Sequence, residues 1–405
     1  MKRNPILLGI LTLLFLWVSG WTQADTIRVA NYNMLKFPGN EGYARVPYFR
    51  TVLRNIQPDI FVVEEIQTQE GLDLIHNQIL DSGFSAIPFN DGPDTDTGLF
   101  YKTDQFQVLS TQYIPTDLRN IGHYHLKHLA SGEELHIFAV HLKASSGSSN
   151  EQKRFLEAQI LKNALLALPA DANIIVTGDF NIYKSSEPAF EHLTSDGTLI
   201  DPLNAPGDWH NNPAFAWLHT QCPRLEQFGG GSSGGMDDRF DMILISDDLT
   251  DNILTATYTA YGNDGQHFNQ SVNNGYNAAV PDSIADALYY ASDHLPVFCD
   301  FVFSIPTTLL TGEEAPISRF ELLPNYPNPF NPSTNIRINI EKAGYFKLQI
   351  FNTVGQQVHT LFEGYVQTGL HQFKWIPSDK VSGGVYFLMA SNGRSQLVQK
   401  LILMK

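Results

Sequence analysis

Two cysteines in 405 residues, Cys222 and Cys299, are too few for a disulfide framework. One bridge at most could form, and Cys299, inside the apolar run LPVFCDFVF, reads as a packed core thiol. Positive charge is scarce. The chain has 26 Lys and Arg against 42 Asp and Glu, a formal net charge of −16. That excludes a protein that grips nucleic acid mainly through a basic surface. It does not exclude an enzyme that meets phosphate through a divalent cation, because the cation supplies the missing charge. After the N-terminus no hydrophobic run is long enough to cross a bilayer. Global disorder is excluded too, since 43% of residues are hydrophobic and only 17% are charged. The length suits two or three domains.

What is present begins with a leader. Lys2 and Arg3 precede ILLGILTLLFLWVSGW, and TQA ends at Ala24. A basic end, an apolar middle and a small residue at the cleavage point predict a signal peptide over residues 1–24. Export is therefore expected, with no stable membrane insertion once the leader is removed, and a monomer is expected.

From residue 25 to about 304, strand and helix patterns alternate. TIRVANYNML, DIFVVEEI, TGLFYKTDQFQVL, ANIIVTGDF and RFDMILISDDL read as strands. RVPYFRTVLRNIQ, EGLDLIHNQIL and EQKRFLEAQILKNALLAL have helical spacing. HYHLKHLASGEELHIFAVHLKAS reads as a hairpin turning at ASGEE, so the sheets are at least partly antiparallel. Interleaved helices and strands predict an α/β layered domain. The glycine-rich stretch FGGGSSGGMDD leads into a strand and carries acids, not a lysine. It is expected to be a flexible surface loop, not a phosphate cradle. Residues 305–323 read as a linker. Residues 324–405 alternate in short β-runs and predict a small all-β, immunoglobulin-like sandwich. This last part holds eight Lys/Arg against three Asp/Glu, a net of +5, which leaves −21 on residues 1 to 323.

Polar residues recur where apolar strands end. Asn33 closes the first strand, Glu64 and Glu65 the second, and Asp179 and Asn181 follow IIVT. Asp241 opens the strand DMILIS, and Asp293 with His294 opens the last. One acid at a strand end is ordinary solvation or a cap. Five such places in one layered domain point to a site, because strand-end loops gather at one edge. The chemistry such a set supports is phosphoester hydrolysis. A hard divalent cation needs oxygen ligands, and Glu65, Asn33 and Asp293 supply them. A histidine must take a proton from water and a carboxylate must hold its ring in one tautomer, which His294 and Asp241 suit. Asp179 and Asn181 can orient water, and His141 can donate to phosphate.

The ordered series NYN, PDIFVVEE, TGLFYK, VHLKAS, GDFN, RFDMILIS and SDHLPV resembles the endonuclease/exonuclease/phosphatase superfamily, the deoxyribonuclease-I-like fold. The resemblance covers residues 26 to 303. It implies a four-layer α/β sandwich, two packed mixed β-sheets flanked by helices, using Mg²⁺ or else Mn²⁺ or Ca²⁺. By motif, it implies metal ligation by Asn33, Glu65 and Asp293, phosphate binding by His141, the GDxN pair in Asp179 and Asn181, and a catalytic His294 oriented by Asp241. Glu64, where relatives often have Gln, is expected to be a supporting or solvated residue. PNYPNPFNPSTNIRINI, IFNTVGQQV, GGVYFLMA and KLILMK resemble the C-terminal sorting domain of type IX secretion substrates, which implies that machinery as a partner and a secreted or outer-surface location.

Other residues have ordinary readings. His123 and His125 share a strand face and His128 does not, so a half-exposed strand surface is expected there. His76 and His192 read as solvated helix-face residues, and so do Lys153 and Arg154. Lys36, Arg45, Lys143 and Arg239 are expected to form a local basic patch that meets phosphate. The expected activity is a secreted endonuclease acting on DNA, with RNA as a second polymer. The alternatives are a phosphatase or sphingomyelinase-type phospholipase of the same superfamily, and a non-catalytic surface binding protein.

Overall fold

The fold is a computed structural model. It describes residues 23–306 apart from 40 and 228–229, and residues 320–405 apart from 341–343, 354, 379–380 and 392–395. The expected signal peptide therefore lies outside the described residues up to residue 22, and the expected linker over 307–319. No helix among the described residues is long and apolar enough to cross a membrane.

The N-terminal region contains strands β1 (Gln23–Phe37), β2 (Ile60–Ile66), β3 (Phe84–Ala86), β4 (Asp96–Lys102), β5 (Phe106–Ile114) and β6 (Ile121–His128). It continues with β7 (Glu134–His141), β8 (Asn173–Asp179), β9 (Asp241–Ile245), β10 (Ile253–Ala260) and β11 (Val297–Ile305). One sheet has the order β10-β11-β1-β2-β4-β3, and the other has the order β5-β6-β7-β8-β9. Each is mixed. β1 runs parallel to β2 and β7 runs parallel to β8, while their outer neighbours are antiparallel. The central parallel strands are buried on both faces, which is why IFVVEEI and NIIVTGD read as nearly unbroken apolar runs.

The two sheets face each other. Val29, Val62 and Leu99 of the first meet Tyr124, Ile137 and Ile175 of the second in one dry layer. Helices α1 (Gly42–Ile56), α2 (Gln69–Leu74) and α5 (Asp282–Ala291) cover the outer face of the first sheet, where Phe49, Phe61, Leu74 and Leu288 pack. Helices α3 (Ser148–Leu166) and α4 (Pro188–Thr194) cover the second sheet through Leu161, Phe190 and Val176. The four layers match the expected sandwich. Four of these elements carried no sequence expectation: β3, α4, α5 and β10. The stretch expected as one helix, EGLDLIHNQIL, is α2 followed by a π-helical turn over Ile75–Ile79. Cys222 and Cys299 are separate buried thiols.

The C-terminal region is all-β, as expected. Strands β12 (Phe320–Tyr326), β13 (Thr334–Ile340), β14 (Gly344–Asn352), β15 (Gln357–Val366), β16 (Gly369–Trp375), β17 (Gly384–Ser391) and β18 (Gln396–Leu403) form a β12-β13-β16 sheet and a β15-β14-β17-β18 sheet. Ile336, Ile338, Leu348, Leu388, Leu401 and Trp375 fill the core between them.

The histidines of β6 form a more specific arrangement than a half-exposed surface. His123 and His125 are joined by His136 of β7, a residue with no sequence expectation. The rings of His125 and His136 stack 4.0 Å apart, and His123 Nε2 lies 3.0 Å from His136 Nδ1. His128 is fully buried, against Ser131. Burial, then the charge of His125, holds the His123 pKa down to about 4, and burial with its two neighbours does the same to His136. The sign follows from proton binding. An unfolded histidine titrates near 6.5, so between 6.5 and about 4 the unfolded chain binds more protons. The Tm is expected to fall as pH drops through that window, with no further loss from these groups below it. The slope should flatten in His136→Phe, and an equal slope in that variant would exclude the stack as its source.

Candidate active site at the sandwich rim

Each central strand delivers a polar side chain to the same end of the sandwich. Asn33 is near the end of β1, Glu65 near the end of β2, His141 closes β7, and Asp179 closes β8. The antiparallel neighbours arrive from the other direction, so Asp241 opens β9, and Asp293 and His294 precede β11. The local backbone makes this placement possible. Gly178, with φ +145°, packs so closely that a Cβ would lie 1.9 Å from Val140 O, and this brings Asp179 alongside His141. Glu65 has φ +60°, and the ladder shifts register beside it. The strand would otherwise send Glu64 and Glu65 to opposite faces. The left-handed residue turns Glu65 to the rim while Glu64 stays inside.

The centre is an imidazole between two carboxylates. His294 Nδ1 donates to Asp241 Oδ2 at 2.7 Å, and its Nε2 lies 3.7 Å from Asp179 Oδ2. Burial alone would lower the His294 pKa, but Asp241 and Asp179 outweigh it and hold it well above its ordinary value. Burial pushes Asp179 up to about 7 against the pull of His294. His141 Nε2 lies 3.5 Å from the same Asp179 oxygen. Burial, then Arg119, keeps His141 neutral, well below its ordinary range, and its Nδ1 has no partner. Asn181 N–H donates to Asp179 Oδ1 at 3.0 Å, and its side chain donates to Leu142 O at 3.1 Å.

Beside this centre stands an oxygen-rich group. Asn33 Nδ2 donates to Glu65 Oε1 at 3.2 Å and to Asp179 Oδ2 at 3.1 Å. Its carbonyl oxygen, the atom expected to hold metal, accepts instead from Leu35 N–H at 3.0 Å. Asn33 thus braces two carboxylates through its nitrogen. Burial, then Asp293, raises the Glu65 pKa. Asp293 Oδ2 accepts from Ser232 N–H at 2.6 Å, while its buried Oδ1 has no partner. Crowded carboxylates and an orphaned buried oxygen fit a hard divalent cation, with Glu65 and Asp293 as the residues that would hold it.

The eight residues expected at a site are therefore together at one rim. Other expectations need correction. Arg45 is buried and donates to the carbonyls of Met34, Leu35 and Ala291, and Arg239 is buried in a bidentate pair with Asp201. Neither can meet phosphate. Their guanidinium groups satisfy backbone and carboxylate oxygens that burial would leave stranded. Arg154 is also fully buried, paired with Glu187 at 2.9 Å, and is not a solvated helix residue. Glu64 is not solvated either. It is fully buried, accepts from Asn31 Nδ2 at 2.6 Å, and burial raises its pKa well above normal. The loop around the glycine stretch is more than a surface loop. Gly231 packs so tightly that a Cβ would meet Asp293 Oδ2 at 2.6 Å. Gly231→Ala is expected to raise the Mg²⁺ concentration for half-maximal binding roughly tenfold or more. Calorimetric titration measures it, and an unchanged midpoint would show that the loop does not shape the site.

Two residues of the site had no sequence expectation. Arg119 pairs with Asp94 at 2.8 Å, donates to Leu142 O, and acts electrostatically on both His141 and Glu65. The side-chain amide of Gln221 faces His294 Nε2 at 2.6 Å. A neutral ring accepts there from the amide nitrogen, and a protonated ring donates to the amide oxygen.

A four-layer sandwich with an Asp-His-Asp row beside clustered acids at one rim defines the phosphodiesterase/phosphatase class of hydrolase folds. The chain belongs to the Endonuclease/Exonuclease/phosphatase family, whose model matches residues 30–294. Residues 325–404 match the secretion system C-terminal sorting domain, so the protein is secreted or held at the outer cell surface by the type IX machinery. No curated protein matches the chain. Similar solved structures include an endonuclease/exonuclease/phosphatase family protein from Bacteroides thetaiotaomicron, 20% identical, covering 70% of this chain and 97% of its own, TM-score 0.46. TDP2 of D. rerio complexed with single strand DNA product is 15% identical, covering 68% and 99%, TM-score 0.48. A mannosyl-6-phosphatase of Bacteroides thetaiotaomicron is 19% identical, covering 68% and 100%, TM-score 0.44. Members of the family are typically phosphoester hydrolases that use divalent metal ions.

Proposed function

We propose that the protein is a secreted, Mg²⁺-dependent phosphodiesterase, an endonuclease that hydrolyses extracellular DNA. The observation that carries the reading is His294 held between Asp241 and Asp179, with Glu65 and Asp293 beside it. A divalent cation on Glu65 and Asp293 supplies charge neutralisation for the phosphate. Asp179 and Asn181 orient the attacking water, and the Asp179 carboxylate accepts its proton as the new P–O bond forms. His294 gives its Nε2 proton to the departing ester oxygen, and Asp241 holds the ring for that transfer. Gln221 must leave Nε2 for this step. His141, Arg119 and Lys143 face the phosphate with hydrogen-bond donors and positive charge.

The charge of −21 on residues 1 to 323 repels a polyanion. Arg119, Lys143 and Lys36 offset it locally, in place of the Arg45 and Arg239 expected from sequence. Trp217, half exposed on the segment that carries Gln221, offers a face on which a base can stack. Incubation of the purified protein with plasmid DNA, an inositol phosphate and sphingomyelin, with and without chelator, tests the reading. Chelator-sensitive cutting of DNA is expected, with little turnover of the others. Preferred hydrolysis of either small substrate would replace the nuclease reading, and no hydrolysis of any would leave a binding protein.

A further inference from the structure

A second group of metal-ligating side chains lies outside the acids assigned above. His210, Asp237 and Asp238 bring one imidazole nitrogen and two carboxylate oxygens within 4.8 Å of one another. His210 Nδ1 and Asp238 Oδ1 are 2.7 Å apart. The His210 side chain is about half exposed at 49%, while that of Asp238 is 9% exposed, so the group opens to solvent on one side. The fold sets this geometry by backbone contacts. His210 N–H donates to Tyr183 O, and Asn211 N–H donates to Asp237 O. The Tyr183 ring packs edge-on against His210, with ring centres 5.2 Å apart. The cationic neighbour Arg239 is turned away, committed to Asp201. Two carboxylates thus share one partly exposed imidazole, and Asp238 also feels the charge of His294.

We propose that His210, Asp237 and Asp238 form a second divalent-cation site, suited to a borderline transition ion such as Zn²⁺. The donor set supports that class. One imidazole with two carboxylates is a ligand set for Zn²⁺ or Mn²⁺, and three protein ligands leave coordination positions for water or a phosphate oxygen. The Glu65–Asp293 group, all oxygen, suits a harder ion. The site is wired to the catalytic centre through one residue. Gln221 exchanges backbone hydrogen bonds with Asp238, and its side chain meets His294 Nε2. An ion there places positive charge on the lip beside the reacting phosphate, where the acidic domain needs it. The use of that charge rests on the phosphoester reading, but the binding does not.

The test is calorimetric titration of ZnCl₂ into the chelator-treated, full-length protein in saturating Mg²⁺, which fills the harder site. The wild type is expected to bind one Zn²⁺ that His210→Ala and Asp237→Asn each weaken by roughly tenfold or more, the loss typical when ligand support at a metal site is removed. Circular dichroism confirms that both variants fold. His136→Phe controls for the histidine stack and is expected to bind Zn²⁺ as the wild type does, as is Glu65→Gln. Co²⁺ in place of Zn²⁺ should give a visible absorption band that disappears in His210→Ala. Zn²⁺ binding that His210→Ala leaves unchanged, or no binding by the folded wild type, would overturn the proposal. Neither result would bear on whether DNA is cut.

Discussion

His294→Ala is expected to lower kcat by roughly 10²–10⁴-fold, the range for loss of a positioned proton carrier. The side chain is buried, and its Nδ1 is satisfied by Asp241 alone. Its removal leaves Asp241 with an unpaired carboxylate, so some stability is lost as well. Circular dichroism and a folded-state Tm separate that loss from the catalytic one. Asp241→Asn should fall in the same direction by leaving the ring unheld. If His294→Ala retained near-normal turnover on the best substrate, the assignment of proton transfer to this imidazole would be refuted.

Arg154→Met is expected to be the most destabilising single change outside the site. Both partners of the Arg154–Glu187 pair are fully buried. Removing one leaves an uncompensated charge inside the protein, which costs about 3–5 kcal/mol. For a domain of this size that lowers the Tm by roughly 10 °C. The same guanidinium donates to Lys143 O and Ser145 O, just beyond His141, while Glu187 accepts from Tyr183 N–H, just beyond Asn181. Arg154 therefore ties together the two loops that leave β7 and β8, and activity should fall with stability. The double variant Arg154→Met/Glu187→Leu removes both charges and should recover much of the stability. It lacks the carbonyl contacts, so its activity should stay low. A single variant as stable as wild type would show that the charge is not isolated as the structure has it.

The layers and the site were legible in the sequence for one reason. A buried parallel strand must be almost wholly apolar, so the polar residue at its end stands out. Asn33, Glu65, Asp179 and Asp293 each follow or precede such a run, and strand-end polarity at five places required a common edge. Residues whose meaning comes from a distant partner were not legible. Arg154 looks like any charged residue in a helix until Glu187, 33 positions later, closes on it. Arg45 and Arg239 looked available to phosphate because sequence gives no sign of which carbonyls or acids a guanidinium will meet. Gln221 and Arg119 lie on connecting segments with no periodicity. Glu64 and Glu65 are neighbours, and only a positive φ separates the buried one from the one at the rim. His136 was missed because stacking across β6 and β7 depends on hairpin register, which the turn sets.

The first and last strands of the catalytic region lie side by side in opposite directions, with Gln23 opposite Ile305. Chain therefore arrives and departs at one pole, while His294 sits at the other, a nine-residue strand or roughly 30 Å away. Whatever grips the protein by its trailing segment holds it by the handle end. The candidate site lies at the far end of the sandwich from that hold.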